Sequence, residues 1–408
     1  MTNAESGFSR QTMEVFAGLK SVIVKFLLVG LSTGFTFLVL EFSIRLFFPQ
    51  PINHYNFSLI QADGGADLVL GRSVSSRGER LKGYGPYIPN LSTNFGAVPV
   101  TINSRGWRDT DHSLDKPAKI FRTMVVGDSV TFGYGVPLDA MFSRVLERKL
   151  NGEGPQRHEV VTLGGAASNT YSQKNMIRQN VLIYNPDLVI LAFNLNDILP
   201  NIVDKKVESR SSRHFIAKHI VRLRKTLDAA FGSNSHLYFL VREKIKILLR
   251  KIGIAAPAMV PLGAFNIESP YGSIAWRDTR QALLEIATQL KTDGVRFMLA
   301  ILPVDMQISH EIADIYRREY GFVFADSLVN GKPQELIKDF ADQHGILCVD
   351  LLPPFRETKQ QLFFRIYGGS IDWNHPNSAG HKIIGEALKN SLDSVQATKL
   401  QRANEVVE

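Results

Sequence analysis

Residues 121–136 read FRTMVVGDSVTFGYGV, and this stretch decides how the rest of the chain is interpreted. Its first half, 121–126, is short and mostly apolar, which is typical of a strand buried on both faces of a parallel sheet. A Gly-Asp pair ends the apolar run, and a helical pattern follows at 138–150. Ser129 is therefore predicted to lie just beyond the carboxyl end of a strand, where open α/β sheets bind ligands.

Strands and helices are predicted to alternate from this stretch to the end of the chain. The predicted strands are 121–126, 159–163, 188–193, 296–302 and 346–351, and the predicted helices are 138–150, 170–183, 279–292, 333–343 and 377–391. Such alternation predicts βαβ units and a parallel sheet covered by helices on both faces. The sequence contains no P-loop and no G-x-G-x-x-G motif, so nucleotide binding is not supported.

Cysteine usage and charge exclude several classes of protein. The single cysteine, Cys348, excludes an intrachain disulfide and lies in an apolar run, which favours a small buried side chain. No cluster of Cys and His has metal-ligand spacing, so we expect no metal and no cofactor. Residues 204–251 carry 13 Lys and Arg against 4 Asp and Glu, while the whole chain has a net charge of +8. The positive charge is thus concentrated in this one segment. A nucleic-acid-binding protein is expected to carry a broad basic face, so the charge distribution argues against that class.

Residues 21–48 form a candidate membrane anchor. Fifteen uncharged residues, 26–40, are short of a bilayer, but their flanks extend the stretch to the roughly 20 residues needed if the charged side chains reach the interfaces. The alternatives are a buried core helix and a cleaved signal peptide, and no A-x-A cleavage site follows. Arg10, Lys20 and Lys25 precede the apolar core, so residues 1–20 are predicted to be cytoplasmic and the remainder extracytoplasmic.

The rest of the chain divides into four predicted parts. Residues 49–118 are rich in loop-forming residues and are interpreted as a juxtamembrane segment or an irregular cap. Residues 119–395 form the α/β domain, and 396–408 form a tail. A basic insert at 204–253 contains two amphipathic stretches, 214–231 and 236–251. They are interpreted either as surface helices with a solvated basic face or as a contact with anionic lipid or an acidic polymer.

Polar residues follow the predicted strands at several points. Ser129 follows the first strand, GGAASNT (164–170) the second and NLND (194–197) the third, while DWNH (372–375) lies beyond the last strand. Together they supply a nucleophile, a base with an orienting carboxylate, and donors for an oxyanion. These groups are what acyl transfer requires.

These blocks resemble the SGNH, or GDSL, hydrolase family. GDSVTFG (127–133) resembles its first block, Asn-Asp (196–197) its third and DWNH (372–375) its last, and they occur in the family's order. The resemblance covers roughly residues 121–392, and NSRGWRD (103–109) is similar to a lead-in of membrane-anchored members. It implies a three-layer α/β/α, flavodoxin-like fold with a central parallel sheet, preceded here by a transmembrane helix.

The resemblance also implies roles for individual residues. Ser129 would be the nucleophile, His375 its general base and then acid, and Asp372 the group that orients His375. The oxyanion hole would use the backbone N–H of Ser129, the backbone N–H of Ala167, with Gly165 as the substitute if the alignment shifts, and the side chain of Asn196. Two departures stand out, because Ala167 and Asn194 occupy positions where the family usually has glycine.

The sequence thus predicts a membrane-anchored serine esterase. Its expected substrate is an ester, such as an O-acyl or O-acetyl group, on a carbohydrate or lipid of the cell envelope. Two alternatives remain: an O-acyltransferase that uses a polysaccharide as acceptor, and a catalytically inactive SGNH-like module that binds glycans. The expected partners are the acylated substrate and the membrane, and no oligomeric state is favoured.

Overall fold

The computed structural model describes residues 4–50, 60–62, 83–95, 98–152, 155–198, 226–228, 230–231, 234–252, 270–367 and 370–405. The strands are β1 (Ser92–Phe95), β2 (Val98–Thr101), β3 (Ile120–Gly127), β4 (Arg157–Gly164), β5 (Leu188–Asn194), β6 (Arg296–Leu302), β7 (Leu347–Asp350), β8 (Phe363–Tyr367) and β9 (Ser370–Pro376). The helices are α1 (Ala4–Phe47), α2 (Ser129–Phe132), α3 (Phe142–Asn151), α4 (Thr170–Tyr184), α5 (His236–Lys251), α6 (Pro270–Thr292), α7 (His310–Arg318), α8 (Asp326–Val329), α9 (Lys332–Gln343), α10 (Leu352–Arg356) and α11 (Ser378–Glu405).

The central sheet has five parallel strands in the order β4-β3-β5-β6-β7. These are the five strands predicted from the sequence, and their ends differ from the prediction by at most two residues. Numbered within the sheet, the order is 2-1-3-4-5, which is the flavodoxin-like arrangement. The order reverses between β3 and β5, so a ligand site is expected at the carboxyl ends of these two strands.

Helices cover both faces of the sheet. Successive side chains of a strand point to opposite faces. Met124 and Val126 accordingly join one core with α4, α6 and α9, whereas Val125 joins another with α3 and α11. The strands are apolar on both faces because both faces are buried. The predicted three-layer α/β/α fold is confirmed.

Three helices differ in extent from the predictions. The predicted helix at 138–150 begins as a 3₁₀ turn, is interrupted by Met141 in an extended conformation, and resumes as α3. Helix α6 begins nine residues before the predicted start at Thr279. Helix α11 continues to Glu405, through most of the segment interpreted as a tail at 396–408, because no glycine or proline follows Gly385.

The described part of the segment at 49–118 packs on the main domain and contains a hairpin, β1–β2, that the sequence did not reveal. Tyr87 and Phe95 lie against the ring of Phe132, with centroids 5.1 and 6.2 Å away. Asp109 accepts a hydrogen bond of 2.7 Å from the backbone N–H of Thr162 on the edge strand β4. The segment therefore protects a sheet edge that would otherwise expose unpaired backbone groups.

Residues Val22–Phe47 of α1 form an apolar helix of 26 residues with mean hydropathy 2.1 and none of it buried in the protein. At 1.5 Å per residue it measures about 39 Å, which exceeds the roughly 30 Å of a bilayer core. A signal sequence has the same properties. Of the two amphipathic stretches in the basic insert, 236–251 is helix α5, while most of 214–231 lies outside the described residues.

Candidate active site

Ser129 begins a single helical turn directly after β3. The carboxylate of Asp128 caps this turn by accepting a hydrogen bond of 2.8 Å from the N–H of Val130. The turn packs closely on β4, since a Cβ at Gly164 would lie 2.3 Å from the backbone nitrogen of Phe132. Only glycine leaves this room. The sheet thus fixes the position of the Ser129 hydroxyl, which is mostly buried.

The hairpin β8–β9 brings Asp372 and His375 to the same edge. The Nε2 atom of His375 lies 2.8 Å from the Oγ of Ser129. Its Nδ1 atom lies 2.9 Å from Oδ2 and 3.0 Å from Oδ1 of Asp372. The three side chains that the sequence singles out therefore form a continuous chain of hydrogen bonds, although Ser129 and His375 are 246 residues apart in the sequence.

The electrostatic environment favours protonation of His375. Burial lowers the pKa of the imidazole, but the charge and hydrogen bond of Asp372, together with the charge of Asp128, raise that pKa above its ordinary value. The ring of Tyr134 packs on the imidazole with centroids 4.4 Å apart. An imidazole in this setting can accept a proton from a hydroxyl and keep it during a reaction.

Asn196 lies in a 3₁₀ turn directly after β5, at the carboxyl edge beside Ser129. Its side chain is hydrogen-bonded to the buried carboxyl of Asp128, whose pKa burial raises. Asn194, at a position where the family usually has glycine, is fully buried. Its side chain caps the turn by accepting the N–H of Asn196 at 3.3 Å. Asn194 therefore stabilises the turn from inside and does not project from the surface.

Ala167 lies in the loop after β4 with φ of +64°, in the left-handed region. This is the conformation that the family's usual glycine adopts without cost. The backbone N–H of Ala167 has no acceptor among the described residues, and the residue is exposed. The N–H of Gly165, by contrast, donates to the carbonyl of Gly127 at 2.9 Å. Of these two N–H groups, that of Ala167 is the one available to a ligand.

A buried ionic cluster that sequence reasoning missed supports the hairpin. The carboxylate of Asp305 accepts hydrogen bonds from Arg365 Nε at 2.9 Å and from the Tyr316 hydroxyl at 2.8 Å. Arg365 faces Asp372 across the hairpin, and Tyr316 also reaches the carbonyl of Asp372 at 3.3 Å. Asp305 follows β6 by three residues, so extending the search for polar groups at strand ends to that strand would have found it.

Arg108, within the NSRGWRD motif, braces the loop beside the site. Its guanidinium is buried and donates to the carbonyls of Phe132 and Val136, the latter at 2.7 Å. Tyr134, which packs on His375, lies between these two positions. The sequence identified the motif but not this contact, because the motif and the loop are separated by more than twenty residues.

The candidate catalytic groups at the carboxyl edge of the sheet are polar side chains. Among the described residues, no group of three or more His, Cys, Asp and Glu side chains is placed to hold a metal. A cavity of about 250 Å³ lies at the opposite edge of the sheet, where the strands begin, and Phe121, Leu188 and Leu347 are among its lining residues. It shares no residue with the serine–histidine–aspartate chain.

The sequence model of the GDSL-like lipase/acylhydrolase family matches residues 125–383, which is well over half of the chain and includes the three hydrogen-bonded residues. The chain belongs to this family. This GDSL-like protein is accordingly a hydrolase that acts on ester bonds, as the sequence predicts. No significant match to it is found among curated protein sequences.

Solved structures similar to this GDSL-like protein include a catalytic mutant of Axe2, an acetylxylan esterase from Geobacillus stearothermophilus. That match has 15% identity, covers 66% of this chain and 93% of that chain, and has a TM-score of 0.36. The lipase Lip_vut3 from a goat rumen metagenome matches with 14% identity, 66% and 97% coverage and a TM-score of 0.37. The acetyl xylan esterase AlAXEase matches with 12% identity, 66% and 99% coverage and a TM-score of 0.37.

Proposed function

We propose that this GDSL-like hydrolase cleaves an O-acyl ester of a cell-envelope glycan or lipid through an acyl-enzyme formed on Ser129. The observation that carries the proposal is the chain of hydrogen bonds from Ser129 through His375 to Asp372. It lies where the strand order reverses, at the edge where such sheets bind ligands. A serine hydroxyl is a weak nucleophile unless a base is in contact with it, and here the base is 2.8 Å away.

The proposed reaction has two halves. In the first, Ser129 Oγ attacks the ester carbonyl while His375 Nε2 takes its proton, and the same proton then passes to the leaving alkoxide. The backbone N–H groups of Ser129 and Ala167 and the amide of Asn196 would donate hydrogen bonds to the oxyanion. In the second half, His375 activates water, which releases the acid. Asp372 keeps the imidazole in the tautomer whose Nε2 accepts the proton.

The proposal places the catalytic domain outside the cytoplasmic membrane, held by α1. The length and hydropathy of Val22–Phe47 support an anchor, and Arg10, Lys20 and Lys25 favour a cytoplasmic N-terminus. Glu41 supports retention of the helix, because it makes hydrogen bonds to the start of α5 that a cleaved leader would not provide. An alkaline phosphatase reporter fused after Glu408 should be active, whereas activity of only a cytoplasmic reporter would reverse this orientation.

Labelling with a fluorophosphonate probe tests the function directly. The wild-type protein should be labelled, and Ser129→Ala should lose both labelling and at least about 10³-fold of kcat on an aryl acetate. Ser113→Ala is the matched control, because Ser113 is an exposed serine that donates to the carbonyl of Asp115 and takes no part in the site. Labelling that survives in Ser129→Ala would refute the assignment. Acetylated glycans, tested with and without a glycan acceptor, would then define the acyl donor and separate hydrolysis from transfer.

A further inference from the structure

We infer that helix α5 lies in the interface of the bilayer that α1 spans, with the apolar stripe formed by Val241, Ile245, Leu248 and Ile252 in contact with lipid. The inference rests on the proposed membrane anchor and goes beyond it, because it assigns the basic insert a second membrane contact. Three independent features support it: how α5 is attached to α1, which side chains α5 exposes, and which charges flank them.

The first turn of α5 is fixed to the membrane helix. The carboxylate of Glu41 accepts hydrogen bonds from the Ser235 hydroxyl at 2.8 Å and from the N–H groups of His236 and Leu237 at 2.9 Å each. The first N–H groups of a helix have no partner within the helix, and a carboxylate there also stabilises the helix dipole. Glu41 thus caps α5 from another helix, and Gln50 adds a bond of 2.6 Å from its N–H to His236 Nδ1.

The attachment lies at the end of the apolar stretch. Glu41 precedes Phe47 by six residues, or about 9 Å along the axis. Phe231, just upstream of α5, shares a cavity wall with Gly34 and Leu38 of α1, so the chain approaches α5 along the apolar part of that helix. From Glu41, the 16 residues of α5 extend for about 24 Å. Helix α5 therefore starts at the level where the membrane helix is expected to leave the hydrocarbon.

Helix α5, together with Ile252, which directly follows it, exposes a continuous apolar stripe. Val241, Ile245, Leu248 and Ile252 are 44%, 49%, 55% and 56% exposed. Their spacing of four, three and four residues places them on one face of the helix. Phe239, on the opposite side, is buried in the protein. A contiguous exposed apolar surface of this kind commonly marks a site of interaction with another protein or with a membrane.

The flanking charges indicate a lipid surface as the partner. The helix carries one acidic and several basic residues: Glu243 against Arg242, Lys244, Lys246, Arg250 and Lys251. Lys244 is exposed beside the stripe. An apolar face bordered by basic side chains is typical of helices that lie in the headgroup region of anionic membranes. Because the helix is already attached to the anchor, contact with the same bilayer requires no additional partner.

The inference can be tested with the full-length protein in liposomes that contain anionic lipid. Single cysteines carrying a bimane label are placed at Leu248, at Leu182 and at Phe35, all in a Cys348→Ser background whose activity is first confirmed. Leu182→Cys is the matched control, because Leu182 is an apolar helical residue of the catalytic domain with 73% exposure. Phe35→Cys reports on the anchor itself. Nitroxide-labelled lipids quench from the bilayer and iodide quenches from water.

Lipid quenching at position 248 should be at least twofold stronger than at position 182, and iodide quenching should show the reverse order. Lipid quenching at 35 without quenching at 248 would overturn the inference and leave the anchor intact. A label at 248 that is shielded from both quenchers would also overturn it, because protein would then cover the stripe. Absence of lipid quenching at 35 would refute the anchor and this inference together.

Discussion

The hydroxyl oxygen of Tyr87 accepts a hydrogen bond of 2.8 Å from the backbone N–H of Ala166. The same hydroxyl donates to the carbonyl of Gly164 at 3.0 Å. Burial raises the pKa of Tyr87 well above its usual range, so the hydroxyl keeps the proton that it donates. A residue from the segment that precedes the sheet therefore fixes the loop that carries Ala167, the proposed oxyanion donor.

Tyr87→Phe should lower kcat because it leaves Ala166 N–H and Gly164 C=O without a buried partner and loosens the loop. We expect a loss of about tenfold in kcat with little change in KM, since misplacing one donor weakens transition-state contacts more than substrate contacts. Tyr84→Phe removes a hydroxyl from the same segment without touching this loop and serves as the control. Equal kcat values for the two variants would contradict the role of Tyr87.

The pKa of His375 predicts how activity depends on pH. The general base must be neutral, so kcat/KM should rise with pH through the pKa of His375 in the free enzyme. Because that pKa is raised, the midpoint should lie above 6.5. Asp372→Asn removes the charge and hydrogen bond that raise it. The midpoint should then move to lower pH, while kcat falls by roughly 10³–10⁴-fold, because the asparagine amide can donate to Nδ1 and favour the tautomer whose Nε2 already carries a proton. A midpoint that does not move would exclude the contact between Asp372 and His375 as the cause of the raised pKa of His375.

A buried histidine outside the site predicts how stability depends on pH. His112 lies between Asp109, 2.9 Å from Nε2, and Glu159, 2.7 Å from Nδ1. Burial lowers its pKa, but the hydrogen bonds to both carboxylates outweigh this and raise the pKa to about 9. A raised folded-state pKa stabilises the fold fully below the unfolded value near 6.5, and this contribution is lost as pH rises through 9.

The free energy of unfolding should therefore fall by about 3 kcal/mol between pH 6 and pH 10 through this group alone. The measurement is urea unfolding of the full chain in detergent at several pH values, compared with His112→Gln. The variant should be less stable at pH 6 and should lose this part of the pH dependence. Parallel curves for the two proteins would show that His112 is not charged in the folded state.

The sequence was sufficient to predict the central sheet, because each of its strands is an apolar run with a polar residue at or just beyond its carboxyl end. The hairpin β8–β9 was not recognised, because polar residues interrupt both strands, which therefore contain no continuous apolar run like those of the central sheet. Contacts of Arg108 and Tyr87 were also missed, because each joins a loop to another loop distant in sequence. Such contacts depend on the assembled fold and carry no local periodicity.

Ala167→Gly should stabilise the protein or leave it unchanged. Holding an L-residue in the left-handed region costs about 1–2 kcal/mol, and glycine removes this cost. Glycine also gives the unfolded chain more conformational entropy, which destabilises the fold by roughly 0.4–1 kcal/mol. Ala166→Gly, next to it, is the matched control, because Ala166 has no positive φ and should lose about 1 kcal/mol. Thermal unfolding of both variants checks the difference in sign. Equal destabilisation would mean that Ala167 carries no strain.

Asn196 provides the sharpest test of the oxyanion hole. Its amide is held beside the buried Asp128 carboxyl, which leaves one amide hydrogen that can be directed to an oxyanion. Asn196→Ala should lose about 10²–10³ in kcat, or roughly 2.7–4 kcal/mol of transition-state stabilisation, with little change in KM. Asn196→Asp should be at least as damaging despite its similar shape, since it replaces a donor by a negative charge next to Asp128.

A purely structural role for Asn196 predicts a different result, in which both variants lose thermal stability but retain turnover per folded molecule. Asn194→Ala separates the two cases, because Asn194 caps the same turn from the buried side. Asn194→Ala should lower the melting temperature and spare most of kcat, whereas Asn196→Ala should lower kcat and leave the melting temperature nearly unchanged. Unchanged kcat in folded Asn196→Ala would remove Asn196 from the mechanism and leave the oxyanion to the N–H groups of Ser129 and Ala167.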